Sequence, residues 1–211
     1  MSKQNFVAFL AVLTALLFLW SAIRPHDYFT WFLEVVPAIV AAIILFFTRK
    51  RFPLTPLLYT LIAIHMCVLF VGGHYTYAEV PLFNWVRDNF HQARNNYDKV
   101  GHFLQGFVPA IVAREIIIRR KVLARRGWLP FLVVCICLAI SAAYELFEWS
   151  VAEATGTAAD AFLASQGDPW DTQKDMLTAL IGAPTALLTL SRWHDHQIRR
   201  LNEVHAEAET A

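Results

Sequence analysis

Six apolar blocks, each close to the length of a bilayer crossing, divide this chain and leave it few ways to fold. They run roughly 6–23, 31–48, 54–73, 102–118, 128–149 and 175–193. About 20 residues of helix cross a hydrocarbon core. None of the blocks alternates with period 2 and all are too long for a strand, so each is predicted to be a helix. Pro109 and Pro184 fall inside the fourth and sixth and predict kinks there. Outside the blocks there is little left for a soluble fold. Charged residues make up 17% of the chain, against about 25% in soluble domains. The expected fold class is all-α: a polytopic membrane helical bundle of about six transmembrane helices. It forms one multi-pass domain over 1–200, followed by a polar cytoplasmic tail over 201–211.

The same composition excludes other classes. Net charge is +1 and no basic stripe carries interleaved aromatics, so no nucleic-acid partner is expected. Cys67, Cys135 and Cys137 all lie inside apolar blocks and read as small buried hydrophobes, not as a redox or metal set. The first block has no small-x-small cleavage site before "RPHD", so it reads as a retained anchor.

Lysine and arginine in the short loops orient the bundle. One set of helix ends carries Lys3, the run Arg49–Lys50–Arg51, "RRKVLARR" at 119–126, and Arg192, Arg199 and Arg200, twelve basic residues in all. The other set carries only Arg24, Arg87, Arg94, Lys99 and Lys174. Six spans with both termini cytoplasmic satisfy this bias at every crossing. Two long connections then face outward. In the first, over 74–101, Leu82, Phe83, Val86 and Phe90 share one helical face, which predicts a short interfacial helix or one packed on the span ends. The second, 150–174, is alanine-rich and turns at "QGDPWD". Trp31, Trp85, Trp128, Trp149, Trp170 and Trp193 fit aromatic belts.

The outward ends also collect acids. Glu145 and Glu148 in "YELFEWS" share a helix face near the expected outer end of the fifth span, where a helix C-terminus repels negative charge. Asp98 and His102 open the fourth span at i, i+4; Asp171 and Asp175 open the sixth with the same spacing. His74 and Asp168 lie at the same expected depth and are secondary candidates. Any of the aspartates alone could cap a helix. Together, Asp98, His102, Glu145, Glu148, Asp171 and Asp175 form a candidate set for holding a divalent metal ion, and His102, Asp98, Glu145 and Glu148 for acid–base catalysis. A carboxylate set with one or two histidines suits zinc, manganese or iron. No E-x-x-H or H-E-x-x-H is present, so the di-iron and zincin signatures are absent. A proton-sharing network and a site for a cationic headgroup stay open beside the metal. Lys99 or Arg24 could also neutralise the glutamates. Away from this set, Glu34 is expected to pair with Arg24 or to snorkel, and His65 to be a satisfied core histidine. Arg114 and Glu115 are expected to serve the cytoplasmic interface, and "HDH" at 194–196 to lie on a surface tail.

"GGHYTY", "YDKVGHFLQGFVPA", "YELFEW" and "GDPWDTQKDM", in that order, resemble the YjdF family of bacterial inner-membrane proteins over nearly the whole length. That resemblance implies a multi-pass protein of the cytoplasmic membrane with no assigned molecular function. A weaker resemblance runs to VanZ-like membrane proteins, through Asp98, Lys99, His102, Phe103, Glu145 and Asp175. Glu148 and "GDPWDTQ" depart from that second pattern, as do two additional N-terminal spans, so glycopeptide resistance does not carry over. The functional expectation is a metal-dependent or acid–base protein acting on a lipid or envelope-precursor headgroup. Cation- or proton-coupled transport and a purely structural polar network are the alternatives. The substrate, the metal and the oligomeric state are not written in the sequence.

Overall fold

The computed structural model describes residues 2–210, and among these there is no strand. The helices are α1 (Lys3–Ser21), α2 (Tyr28–Thr48), α3 (Pro56–Tyr75), α4 (Pro81–Asn89), α5 (Tyr97–Arg119), α6 (Leu129–Thr155), α7 (Asp160–Leu163) and α8 (Asp171–Thr210), with short 3-10 turns between some of them. Their starts follow from local chemistry. Side chains of Ser2, Asp27 and Thr55 accept hydrogen bonds from Asn5, Thr30 and Leu58 N–H groups that the first turn leaves unpaired. Prolines open α3 and α4, where a missing N–H costs nothing. Pro37, Pro109 and Pro184 lie inside helices that continue through them.

Five helices, α1, α2, α3, α5 and the segment containing α6, are long and apolar enough to cross a membrane. The expected sixth, within α8, is not among them. Its apolar stretch is bounded closely by Asp171, Lys174 and Asp175 at one end and Arg192 at the other. Large apolar side chains such as Phe9, Leu16, Phe47, Leu146 and Leu188 stand exposed on the outside of the bundle, as lipid-facing residues do. Trp85, Trp128, Trp149, Trp170 and Trp193 are exposed too, whereas Trp31 turns inward to donate to Ser21 Oγ at 3.0 Å. Cys137 is buried, but Cys135 faces outward, so only part of the cysteine expectation holds.

Helix α5 is the centre of the bundle. It packs against α3, α6 and α8. The closest approach is to α8: a Cβ on Gly106 would overlap the Ala179 carbonyl, and one on Gly182 would overlap the Phe103 carbonyl. Helices in lipid associate through such small-residue contacts, because the hydrophobic effect does not separate helix from acyl chain. The two run parallel. Asp98 and Lys99 meet Asp171 and Asp175 at one end, and Glu115 meets His194 at the other. Helices α3 and α6 run antiparallel to α5, with Thr55 beside Glu115 and Glu145 beside His102. The bundle therefore has an acidic end, which carries α4 and α7, and a basic end, which carries Lys3, Arg49–Arg51 and Arg119–Arg126.

Four local expectations need correction. Helix α6 does not end near Trp149 but runs on to Thr155, so Glu145 and Glu148 lie in a helix interior and not at a C-terminus. Residues 194–196 are not on a surface tail: α8 continues past them, and His194 is fully buried. Arg114 and Glu115 are buried instead of lying at an interface. Glu34 is also buried and makes no ion pair with Arg24 among the described residues. The helix predicted within 74–101 is α4. Leu82 and Trp85 on it and Phe90 just past its end are exposed, and Phe83 packs edge-on against Tyr97.

Candidate functional site

At the acidic end, α5 and α8 hold one connected cluster of charged side chains. Asp98 Oδ1 lies 3.2 Å from His102 Nε2, the i, i+4 pair that a helix places on one face. Lys99 Nζ donates to Asp98 at 3.3 Å and to Asp171 at 2.7 Å, and it also binds Asp175. Arg94, just before α5, donates to Asp98 at 3.4 Å, to Asp171, and to the Ala164 carbonyl at 3.1 Å. Asp168 sits at the rim. The Lys174 ammonium beside it holds its carboxyl below the usual carboxylate range. The aspartates are thus partnered by cations that the chain itself supplies, Lys99 and Arg94 for Asp98, Asp171 and Asp175, and Lys174 for Asp168.

The glutamates are not. Glu145 Oε1 is buried, 3.6 Å from His102 Nδ1, and has no hydrogen-bond partner. Leaving such an atom unpaired costs about 1–3 kcal/mol, and more for a charged group. His102 Nδ1 also lies 3.2 Å from Gln105 Oε1. Glu34 of α2 is 3% exposed, with the Tyr77 hydroxyl facing it. Burial, and then the Glu34 carboxyl, push that hydroxyl well above its ordinary value, so it stays a donor. The Tyr77 ring fits here only because Gly72 and Gly101 lack side chains: a Cβ on either would meet it.

These groups open onto a cavity of about 800 Å³ between α2, α3, α5 and α6. Its polar end is lined by Glu34, Tyr77, Asp98, His102, Tyr144 and Glu148. Beyond them the walls are apolar, with Pro37, Ala41 and Ile44 of α2 facing Ile140, Ala143 and Phe147 of α6. The far end reaches Thr48, Phe52 and Arg120. From Asp98 to Arg120 along α5 the lining covers roughly 33 Å, about one hydrocarbon thickness. Helix α7 lies against both α2 and α6 at the acidic end. Its Phe162 is buried edge-on to the cavity residue Phe147, with ring centroids 6.0 Å apart. Helix α7 thus packs beside the polar end.

The structure thus brings together Asp98, His102, Glu145, Asp171 and Asp175, with Glu148 on the same cavity wall and Asp168 at the edge. It does not bring in His74, which accompanies α1: its Nδ1 lies 3.1 Å from the Ser21 carbonyl and its ring 4.3 Å from that of Trp20. Ligand atoms of Asp98, His102 and Asp175 all lie within 4.8 Å of one another, a spacing that could hold a metal ion. An ion there would have to displace Lys99, which binds both carboxylates. Glu34, Tyr77, Tyr144 and Arg94 were not foreseen in the site. Glu34 and Arg94 were visible as charges next to a span, but nothing local tied them to "YELFEWS".

A second polar cluster, at the basic end, is fully partnered. Glu115 accepts from Thr55 Oγ1 at 2.7 Å, from Thr55 N at 3.1 Å and from Arg119 at 2.8 Å, and lies 2.9 Å from His194 Nε2. Arg114 donates to His194 Nδ1 at 2.9 Å and to Asp195 at 2.7 Å. Arginine can only donate, so Nδ1 accepts and Nε2 carries the proton given to Glu115. This cluster clamps α3, α5 and α8 and leaves no group free for a ligand.

Residues 6–196 match the family described as "Predicted membrane protein (DUF2238)". The chain belongs to this family. It is also 51% identical over 190 residues to the Escherichia coli (strain K12) protein named "Inner membrane protein YjdF", a match covering 90% of this chain and 91% of that one. No solved structure matches it. Members of the family, this chain included, are membrane proteins, which accords with the apolar exterior of the bundle.

Proposed function

We propose that this protein crosses the bacterial inner membrane six times, with both termini in the cytoplasm, and acts on an amphipathic lipid or envelope precursor. The headgroup would meet the Asp98–His102 pair, with Glu145 and Glu148 beside it, at the acidic end of the cavity. The carrying observation is the cavity itself: an apolar cleft as long as a leaflet pair, with its carboxylates and imidazole gathered at one end. Asp98 orients His102, whose second nitrogen faces the glutamate side, an arrangement suited to moving a proton at a bound headgroup. The sixth crossing is supported by depth matching. Residues 175–194 of α8 run parallel to 98–115 of α5 and cover about 29 Å. The excess of lysine and arginine at the basic end supports the orientation.

The test is retention of lipid by purified protein. Lipid extracted from wild type should exceed that from an Ala143→Trp variant, in which an indole fills the cleft. Equal amounts from two well-folded proteins would remove the reading.

The spacing of Asp98, His102 and Asp175 favours a second reading, in which a divalent metal ion replaces Lys99 as their counter-charge. Stoichiometric metal that is lost in His102→Ala and Asp98→Asn would establish it. Folded, metal-free wild-type protein would dismiss it.

A further inference from the structure

Three carboxyls at the acidic end, those of Glu34, Glu145 and Glu148, have no lysine or arginine paired with them among the described residues, and their placement points to a ligand chemistry. Lys99 and Arg94 bond to Asp98, Asp171, Asp175 and the Ala164 carbonyl, with Arg94 Nε buried and unpaired. Neither forms an ion pair with Glu34, Glu145 or Glu148 among the described residues. Of the three, Glu34 and Glu148 line the cavity, and Glu145 Oε1 is buried without a partner beside His102. His102 lies 3.6 Å from Glu145 and already has Asp98. Carboxylates at this depth are costly unless something positive completes them.

We infer that the missing charge is a primary ammonium carried by a lipid, which enters from the bilayer between α2 and α6 and lays its chains along the cleft. This deepens the lipid reading above and rests on it. Three features select the ligand. At the polar end the carboxyls of Glu34 and Glu148 offer acceptor oxygens, which reward a group with N–H donors over a methylated one. The apolar walls beyond Glu148 match acyl or isoprenoid chains and give a free, water-soluble amine nothing to bind. The route follows from α2 and α6, which both line the cleft while packing chiefly on other helices, α2 on α3 and α6 on α5 and α8.

The experiment is native mass spectrometry of the detergent-solubilised full chain, titrated with phosphatidylethanolamine, phosphatidylcholine or phosphatidylglycerol bearing identical chains. The ethanolamine lipid should bind roughly tenfold or more tightly than the other two, the effect of one or two charge-assisted hydrogen bonds. That preference should vanish in Glu34→Gln plus Glu148→Gln and shrink in each single variant. The single variants keep shape and serve if the double variant fails to fold. Three lipids bound equally, all of them lost in Ala143→Trp, would overturn the ammonium inference and leave the lipid reading standing. No binding above the Ala143→Trp level would overturn both. An ethanolamine preference untouched by the glutamine variants would overturn the carboxylates' role. Displacement of the lipid by free phosphoethanolamine at equal concentration would overturn entry from the bilayer.

Discussion

Asp27 shows how much a single side chain contributes where helix meets water. Its carboxyl accepts from the Thr30 N–H at 2.7 Å and caps α2. That bond, ahead of any other influence, lowers its proton affinity below the usual aspartate value. A depressed folded value means the cap stabilises above the unfolded value, about pH 4, and is lost as pH falls through the folded one. Asp27→Ala should cost about 0.5–2 kcal/mol near neutral pH. The thermal midpoints of wild type and variant should converge on acidification. His194 is a more severe case, because it bridges Arg114 and Glu115 where both are buried. His194→Ala leaves a buried carboxylate and a guanidinium each short of a bond, and should cost about 3–5 kcal/mol. A thermal melt in detergent reads this directly. A shift of a degree or two would mean that water replaces the imidazole.

The contact between α5 and α8 depends on what is absent from two glycines. Gly106→Leu would drive a side chain into the Ala179 backbone and push the pair apart. It should destabilise by about 1–3 kcal/mol or more, and it should separate Lys99 from Asp171 and Asp175. Reduced yield and a lower melting point are expected, with no change if the helices pack more loosely. Element existence was legible in the sequence because hydropathy is a sum over neighbours, and the helices α1, α2, α3, α5 and α6 follow it. What hydropathy cannot see is which face of a helix is used. "HDH" lies past the last apolar block, so it read as exposed tail, yet the helix continues and turns His194 toward Glu115. Glu145 and Glu148 lie near His102, but not at a helix C-terminus, because α6 continues for two more turns; what singles out Glu145 is its buried, unpaired Oε1. Asp98, His102, Asp171 and Asp175 could be joined from spacing and topology alone. Glu34 could not, since α2 is joined to the site only by tertiary packing.

Across the whole molecule, the count of crossings decides where the C-terminus lies. Six crossings return it to the side of the N-terminus; five leave it on the opposite side. A fluorescent protein fused after residue 211 should mature and fluoresce, whereas an alkaline phosphatase fusion there should be inactive. A phosphatase inserted after Asn89, at the end of α4, should be active. The reverse pattern at the C-terminus would remove α8 as a crossing helix and with it the depth matching to α5.

The placement of the cleft also bears on chemical access. With α2 and α6 as its walls and its mouth, as proposed, turned to hydrocarbon, a blocking compound would reach Glu148 only after dissolving in the bilayer. Its potency would then follow partition coefficient as much as fit, and a charged analogue matched to the pocket but insoluble in oil would do nothing to intact cells.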